Sequence, residues 1–284
     1  MKKIFVYSLF LTLPFAACNN DSNSLEHQYS ALFEKEYAEL GNSERYKTYM
    51  ERYKLLIALS EEVNQADKIT IGSEETVDTL CFIPPTEEDL QMDKELDLKM
   101  AGKNEAMPFS SYINLSKDVN ATIIAEGFSQ NSSSLASFRD EPELHLLSNM
   151  LERSEYITST KADSAEIYNS FCKHLILMDR VNNSRYILIL KELVNVSAGY
   201  EEENGDEFES GVYAGMVYVY DIEKKKFINA LPIGGANSDT VEGKQSSIEF
   251  SINSDLNANI EKGIKQGLEE KFGLRGEVTG FYKP

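Results

Sequence analysis

Residues 186–190 have the sequence YILIL, an unbroken apolar run. Five apolar residues in a row leave no polar face, and this predicts a central strand that is buried on both sides. Two further apolar runs follow at 212–222 and 226–233, joined by the short polar turn EKK at 223–225. This arrangement predicts an antiparallel hairpin beside the central strand. Residues 171–178 give another candidate strand, directly before the central one.

A helical pattern lies near the C-terminal end of the sequence. Ser254 or Asp255 is a suitable N-cap, and Gly273 is a natural residue to end the helix. Apolar residues at helical spacing lie between them, at Leu256, Ile260, Ile264, Leu268 and Phe272. Strands followed by one amphipathic helix predict the α+β class, with an antiparallel sheet and one packed helix. Residues 234–239 are predicted to form a loop, and residues 248–252 a further strand.

Two helices are predicted near the N-terminus. Residues 25–40 carry apolar side chains at helical spacing, Gly41-Asn42 ends that pattern, and Ser43 caps a second helix that reaches about residue 67. The pair predicts a helical hairpin over residues 25–68, and residues 69–284 are predicted to form the α+β domain. The tyrosine-rich stripe of the second helix is interpreted as core.

The composition bounds the class of protein. Of 284 residues, 47 are acidic and 28 basic, which gives a formal net charge of -19. Apolar residues make up 42% and charged residues 26%, which is ordinary for a globular protein and excludes a disordered chain or a polytopic membrane protein. The excess of acid argues against nucleic acid as a partner, because phosphate contacts need clustered Lys and Arg.

The first eighteen residues, MKKIFVYSLFLTLPFAAC, have the pattern of an export signal. Lys2 and Lys3 form a positive start, and an apolar run follows that is too short for a permanent membrane span. The small residues before Cys18 make this segment resemble the lipobox of bacterial lipoproteins. Phe15 departs from the Leu, Val or Ile that the lipobox prefers there. There are two alternatives: an ordinary signal peptide that is cleaved after Ala17, and a cytosolic protein with an apolar first segment.

The resemblance implies a signal peptide at residues 1–17, cleaved before Cys18, and a diacylglycerol on the Cys18 sulfur, usually with one more acyl chain on the new amino terminus. Two or more chains give stable membrane attachment. Residues 18–24 are then a lipidated, flexible tether, since they are polar and small. Asn19, rather than Asp, favours the outer membrane by the same resemblance. The C-terminal pattern resembles uncharacterised envelope lipoproteins of Bacteroidota.

Few residues suggest chemistry. Cys81 and Cys172 are predicted either to form a disulfide or to be two buried thiols. The acidic stretch at residues 201–209 is a weak Ca²⁺ candidate through Glu201, Glu203, Asp206, Glu207 and Glu209. The three histidines, at 27, 145 and 174, are not spaced as metal ligands. No catalytic residue and no cofactor is predicted.

These patterns predict a lipid-anchored cell-envelope protein with a non-catalytic binding or assembly role. Its expected partners are the membrane, through the anchor, and an unknown protein or glycan. Whether it faces the periplasm or the cell surface stays open. The alternatives are an exported hydrolase that uses carboxylates, and a Ca²⁺-dependent binding module centred on the acidic stretch.

Overall fold

A computed structural model describes residues 35, 39–40, 43–67, 69–72, 74–82, 118–128, 175–200, 208–242 and 248–275. Within these ranges there are eight strands and three helices with defined bounds, and residues 35, 39 and 40 are helical as well. The helices are α1 (Glu44–Gln65), α2 (175–183) and α3 (Ile248–Phe272). The strands are β1 (Leu80–Cys81), β2 (Ala121–Ala125), β3 (Tyr186–Val196), β4 (Gly199–Tyr200), β5 (Phe208–Glu209), β6 (Val212–Asp221), β7 (Lys226–Ala236) and β8 (Leu274–Arg275). The chain is of the α+β class.

The main sheet has four strands in the order β2-β3-β6-β7. Residues 186–190 form its buried centre, as the apolar run predicts, and the β6–β7 hairpin lies beside them in antiparallel pairing. Strand β2 joins the other edge of β3 in parallel, with Ala125 opposite Leu190. The sheet is therefore mixed rather than wholly antiparallel. Parallel pairing needs a long connection between the strands, and α2 lies within that connection.

Both faces of the sheet are covered by helices. On one face α1 and α2 share a core cluster with Ile187, Ile189 and Tyr218. On the other face α3 packs on Leu188 and Val217. The prediction of one packed helix therefore describes only the α3 face. A bidentate ion pair between Arg45 and Asp179, at 2.5 and 2.6 Å, joins α1 to α2.

Helix α1 confirms the second helix of the predicted hairpin. Its N-cap is Ser43, whose Oγ accepts a hydrogen bond from the Tyr46 backbone N–H at 3.1 Å. At its C-terminus the Lys191 ammonium donates to the carbonyl oxygens of Val63 and Ala66, where a cation complements the helix dipole. Tyr49 is fully buried in the tyrosine stripe, which is core as interpreted. The first helix of the hairpin lies largely outside the described residues.

Four local predictions were wrong. Residues 175–178, predicted as strand, belong to α2, where Leu175, Met178 and Val181 are buried at a spacing of three residues. Residues 248–252 are the first turns of α3 rather than a strand, so Ser254 and Asp255 lie inside that helix and neither is its N-cap. Strand β7 runs through residues 234–236 rather than ending before a loop. Short apolar runs fit helix and strand equally, and only tertiary packing separates the two.

Glycines allow α3 and β7 to approach each other at backbone distance. A β-carbon at Gly263 would lie 2.1 Å from the Gly234 carbonyl oxygen, and one at Gly235 would lie 2.8 Å from the Ile260 backbone nitrogen. Both positions are closer than a real β-carbon can approach, so these side chains have to be hydrogen. The glycines at 234–235, which the sequence suggested were loop residues, therefore seat the helix on the sheet.

The β6–β7 turn is organised by one buried carboxylate. Asp221 is fully buried, and its Oδ1 accepts backbone hydrogen bonds from Glu223 and Lys224 at 2.9 and 3.1 Å. Its Oδ2 accepts from the Arg185 guanidinium at 3.1 Å. This arrangement fixes the predicted turn, in which Lys225 adopts a positive φ of 54°.

Candidate functional site

Most of the predicted site residues lie outside the described part of the chain. They are Cys18, Cys172, Glu201, Glu203, Asp206 and Glu207. Glu209 is an exposed residue of β5. The lipid attachment and the Ca²⁺ loop are therefore still predictions.

Cys81 is buried in β1, which pairs in parallel with β8 next to the end of α3. Burial raises the pKa of the Cys81 thiol, so at neutral pH it is a protonated and unreactive group. The disulfide with Cys172 stays a prediction.

A group of polar side chains gathers where β2 ends against β3. We call it the β2-end cluster, and its members are Glu126, Glu192, Asn195 and Tyr213. Glu126 directly follows β2, and its Oε1 accepts a hydrogen bond from the Glu192 backbone N–H at 2.7 Å. This side chain therefore adds one hydrogen bond to the pairing of β2 with β3. The Glu192 Oε2 in turn accepts from the Asn195 amide at 3.0 Å.

Tyr213 places a hydroxyl group inside this cluster. A β-carbon at Gly215 would lie 3.1 Å from the Tyr213 hydroxyl oxygen, so the phenol ring lies along its own strand and covers that glycine. Gly215 is the cross-strand partner of Glu192, and paired residues share a face of the sheet. The hydroxyl therefore sits on the same face as the Glu192 side chain. The glycine provides the space for it.

The cluster holds polar oxygens whose hydrogen bonding is incomplete. Tyr213 is 1% exposed, and its hydroxyl oxygen has no hydrogen-bond partner among the described residues. The Asn195 Oδ1 is also buried and has no partner in the same part of the chain. Buried polar atoms of folded proteins are nearly always paired, and an exception points to a strained site or to a bound ion or water.

Burial also changes the pKa values of groups in this cluster. Burial raises the pKa of the Glu126 carboxyl, against the hydrogen bond from the Glu192 backbone and the charge of Lys191. Burial also raises the pKa of Tyr213, and the charges of Glu192 and Glu126 raise it further, so its hydroxyl keeps its proton. The carboxylates are thus close enough to act on the phenol. Together the groups place carboxylate, amide and hydroxyl oxygens in one part of the sheet.

A second feature lies on the opposite face of the same strands. The side chains of Val194, Val196 and Val212 are 47%, 52% and 42% exposed. By the alternation of β6, Val212 lies on the face that α1 covers at Met216 and Tyr218, and Val196 is its cross-strand partner. Lys191 binds the C-terminus of α1, so the helix ends at that point of the sheet. The three valines lie further along the strands on the same face, and we call them the valine face.

Another polar network, at the end of β7, is fully paired. Asn237 donates to the Ile252 carbonyl oxygen at 2.7 Å and accepts from the Gly211 backbone, and Asp255 accepts from the Ser238 backbone at 2.7 Å. These bonds tie the start of α3 to β6 and β7. We interpret the network as structural.

Sequence reasoning missed the β2-end cluster. Its members come from three separate strands or strand ends, and the parallel position of β2 brings Glu126 to Glu192. One signal could have helped: Gly215 interrupts an otherwise strong strand, two residues from a tyrosine that can cover it.

Two kinds of feature are absent from the described residues. They contain no helix that is long and apolar enough to cross a membrane, and no group of three or more His, Cys, Asp or Glu side chains arranged to hold a metal ion. Comparison of the chain with protein-family models, with curated proteins and with solved structures finds no match.

Proposed function

We propose that this chain is a lipid-anchored envelope protein with a non-catalytic binding or assembly role. The observation that carries the proposal is the pattern of residues 1–18, with its positive start, its short apolar run and its small residues before Cys18. A chain with a net charge of -19 is repelled by an anionic membrane surface, so attachment has to come from lipid. We place it at the outer membrane.

The proposed organisation has four parts. These are the signal peptide at 1–17, the tether at 18–24, the helical hairpin at 25–68 and the α+β domain at 69–284. Two features of the described residues support a binding role, the β2-end cluster and the valine face. A contiguous exposed apolar surface is typical of an interaction site. A protein or glycan is the proposed partner, and nucleic acid is not.

Replacing Cys18 with Ser tests the anchor. Serine cannot form the thioether, so we expect the variant to move from the membrane fraction to the soluble fraction of the cell envelope, measured by immunoblotting after ultracentrifugation. Cys172→Ser makes the same chemical change elsewhere and should stay with the membrane. A Cys18→Ser chain that remains membrane-bound contradicts the proposal.

A hydrolase is the second candidate, because the Glu126 carboxyl accepts the Glu192 backbone N–H, which brings two glutamates to adjacent strands, and burial raises the pKa of Glu126. We favour binding, since the buried Asn195 Oδ1 is an acceptor with no hydrogen-bond partner among the described residues. The proposed Ca²⁺ module at residues 201–209 is a third candidate.

A further inference from the structure

The β2-end cluster holds several side-chain oxygens. Two carboxylates, from Glu126 and Glu192, belong to it, and among the described residues the Asn195 Oδ1 and the Tyr213 hydroxyl oxygen have no hydrogen-bond partner. The Asn195 amide nitrogen already donates to Glu192. A neutral apolar ligand would leave these oxygens unpaired at a cost for each buried group.

We propose that the β2-end cluster binds a hard divalent cation, Ca²⁺ or Mg²⁺, through the side-chain oxygens of Glu126, Glu192, Asn195 and Tyr213. These cations take oxygen ligands, and carboxylate and amide oxygens are their usual protein partners. The remaining coordination positions are filled by water, as Mg²⁺ sites with one or two carboxylates commonly show.

Three observations support this assignment independently of the acidic charge. The Tyr213 hydroxyl is almost fully buried and has no hydrogen-bond partner within the described part of the chain. Gly215, which has no side chain, makes room for that hydroxyl on the face where the Glu192 side chain leaves its strand. The Glu192 backbone N–H holds the Glu126 carboxylate and the Asn195 amide holds the Glu192 carboxylate, so both are positioned before any cation arrives.

Besides burial, which raises the pKa of Glu126, two charges act on its carboxyl: the positive charge of Lys191 and the negative charge of Glu192. The Lys191 ammonium is bound to the C-terminus of α1 through Val63 and Ala66, so it neutralises that helix end. A cation would offset the remaining repulsion between the two glutamates.

This inference deepens the binding role proposed above, and its failure would leave the lipid anchor untouched. It is tested on the full chain carrying Cys18→Ser, by calorimetric titration and by thermal unfolding with Ca²⁺ or Mg²⁺ at about 5 mM. That concentration exceeds the dissociation constants of roughly 10⁻⁴–10⁻³ M typical of extracellular Ca²⁺ modules. We expect saturable binding of one ion and a higher Tm than in chelator.

The variants separate this site from the acidic loop. Glu192→Gln should weaken cation binding at least tenfold. A combined Glu201→Gln, Glu203→Gln and Glu207→Gln variant should bind the cation as tightly as the parent chain does. Both sets remove carboxylate charge, so a general effect of charge would appear in both. Loss of binding in the loop variant alone, or no binding by the parent chain, overturns the proposal.

Tyr213→Phe gives a readout that a merely structural tyrosine would not give. Removing a buried hydroxyl without a partner should leave the Tm in chelator unchanged or higher. The same variant should bind the cation more weakly and lose part of the rise in Tm. If Tyr213→Phe lowers the Tm in chelator and leaves the affinity unchanged, the hydroxyl serves the fold and not a cation, and the proposal is wrong.

Discussion

Gly263→Ala is expected to destabilise the protein by about 3 kcal/mol, at the upper end of the cost of overpacking. The added methyl group would lie 2.1 Å from the Gly234 carbonyl oxygen, so one backbone has to move away from the other. In an exposed helix interior the same change is stabilising by about 1 kcal/mol. The sign of the effect therefore reports the contact between α3 and β7, and thermal unfolding should show a Tm about 6–12 °C lower.

Gly267→Ala is the matched control, one turn further along α3. Its methyl group would lie 3.2 Å from the Leu231 Cδ2, a side-chain atom that can shift. We expect a change in stability within about 1 kcal/mol of the parent protein. Gly72→Ala, where a β-carbon meets nothing within 4 Å, should be neutral as well. If Gly263→Ala is as stable as these controls, the helix does not rest on β7 as described.

Asp221→Ala is expected to cost about 3 kcal/mol, because it removes a fully buried carboxylate that accepts from two backbone N–H groups and from Arg185. The Arg185 guanidinium is partly exposed, so water compensates part of its loss. Denaturant unfolding measures the change. Asp221→Asn should have an intermediate effect, since the amide oxygen can still accept from the turn while the charge is lost.

Glu223→Gln is the control for this second prediction. Glu223 lies 3.3 Å from the same guanidinium, but its side chain is 70% exposed. Exposed ion pairs contribute little, and a change within about 0.5 kcal/mol is expected. Equal effects of Asp221→Ala and Glu223→Gln would mean that the buried carboxylate does not organise the β6–β7 turn.

The parts of the fold that depend on local sequence could be predicted. The apolar stripe of α3 from Leu256 to Phe272 is buried as its spacing indicates, and Gly273 ends the helix with a positive φ of 75°. Ser43 caps α1, and the EKK turn joins β6 to β7. Each of these features depends on residues a few positions apart, where side-chain chemistry acts directly on the backbone.

The parts that depend on distant segments could not be predicted. The parallel pairing of β2 with β3 joins residues more than sixty positions apart, and it decides where Glu126 lies. The helix at residues 175–183 has an apolar run that also fits a strand, and packing against α1 selects the helix. The β2-end cluster depends on the first of these, since its four side chains come together through the pairing of β2, β3 and β6.

The proposed function depends on lipid attachment at Cys18, which can be measured by intact-mass spectrometry of the chain purified from its native membrane. We expect a polypeptide that begins at residue 18, with extra mass on that residue corresponding to a diacylglycerol and usually one further acyl chain. A polypeptide that begins at Met1, or a Cys18 that carries no lipid, would contradict it.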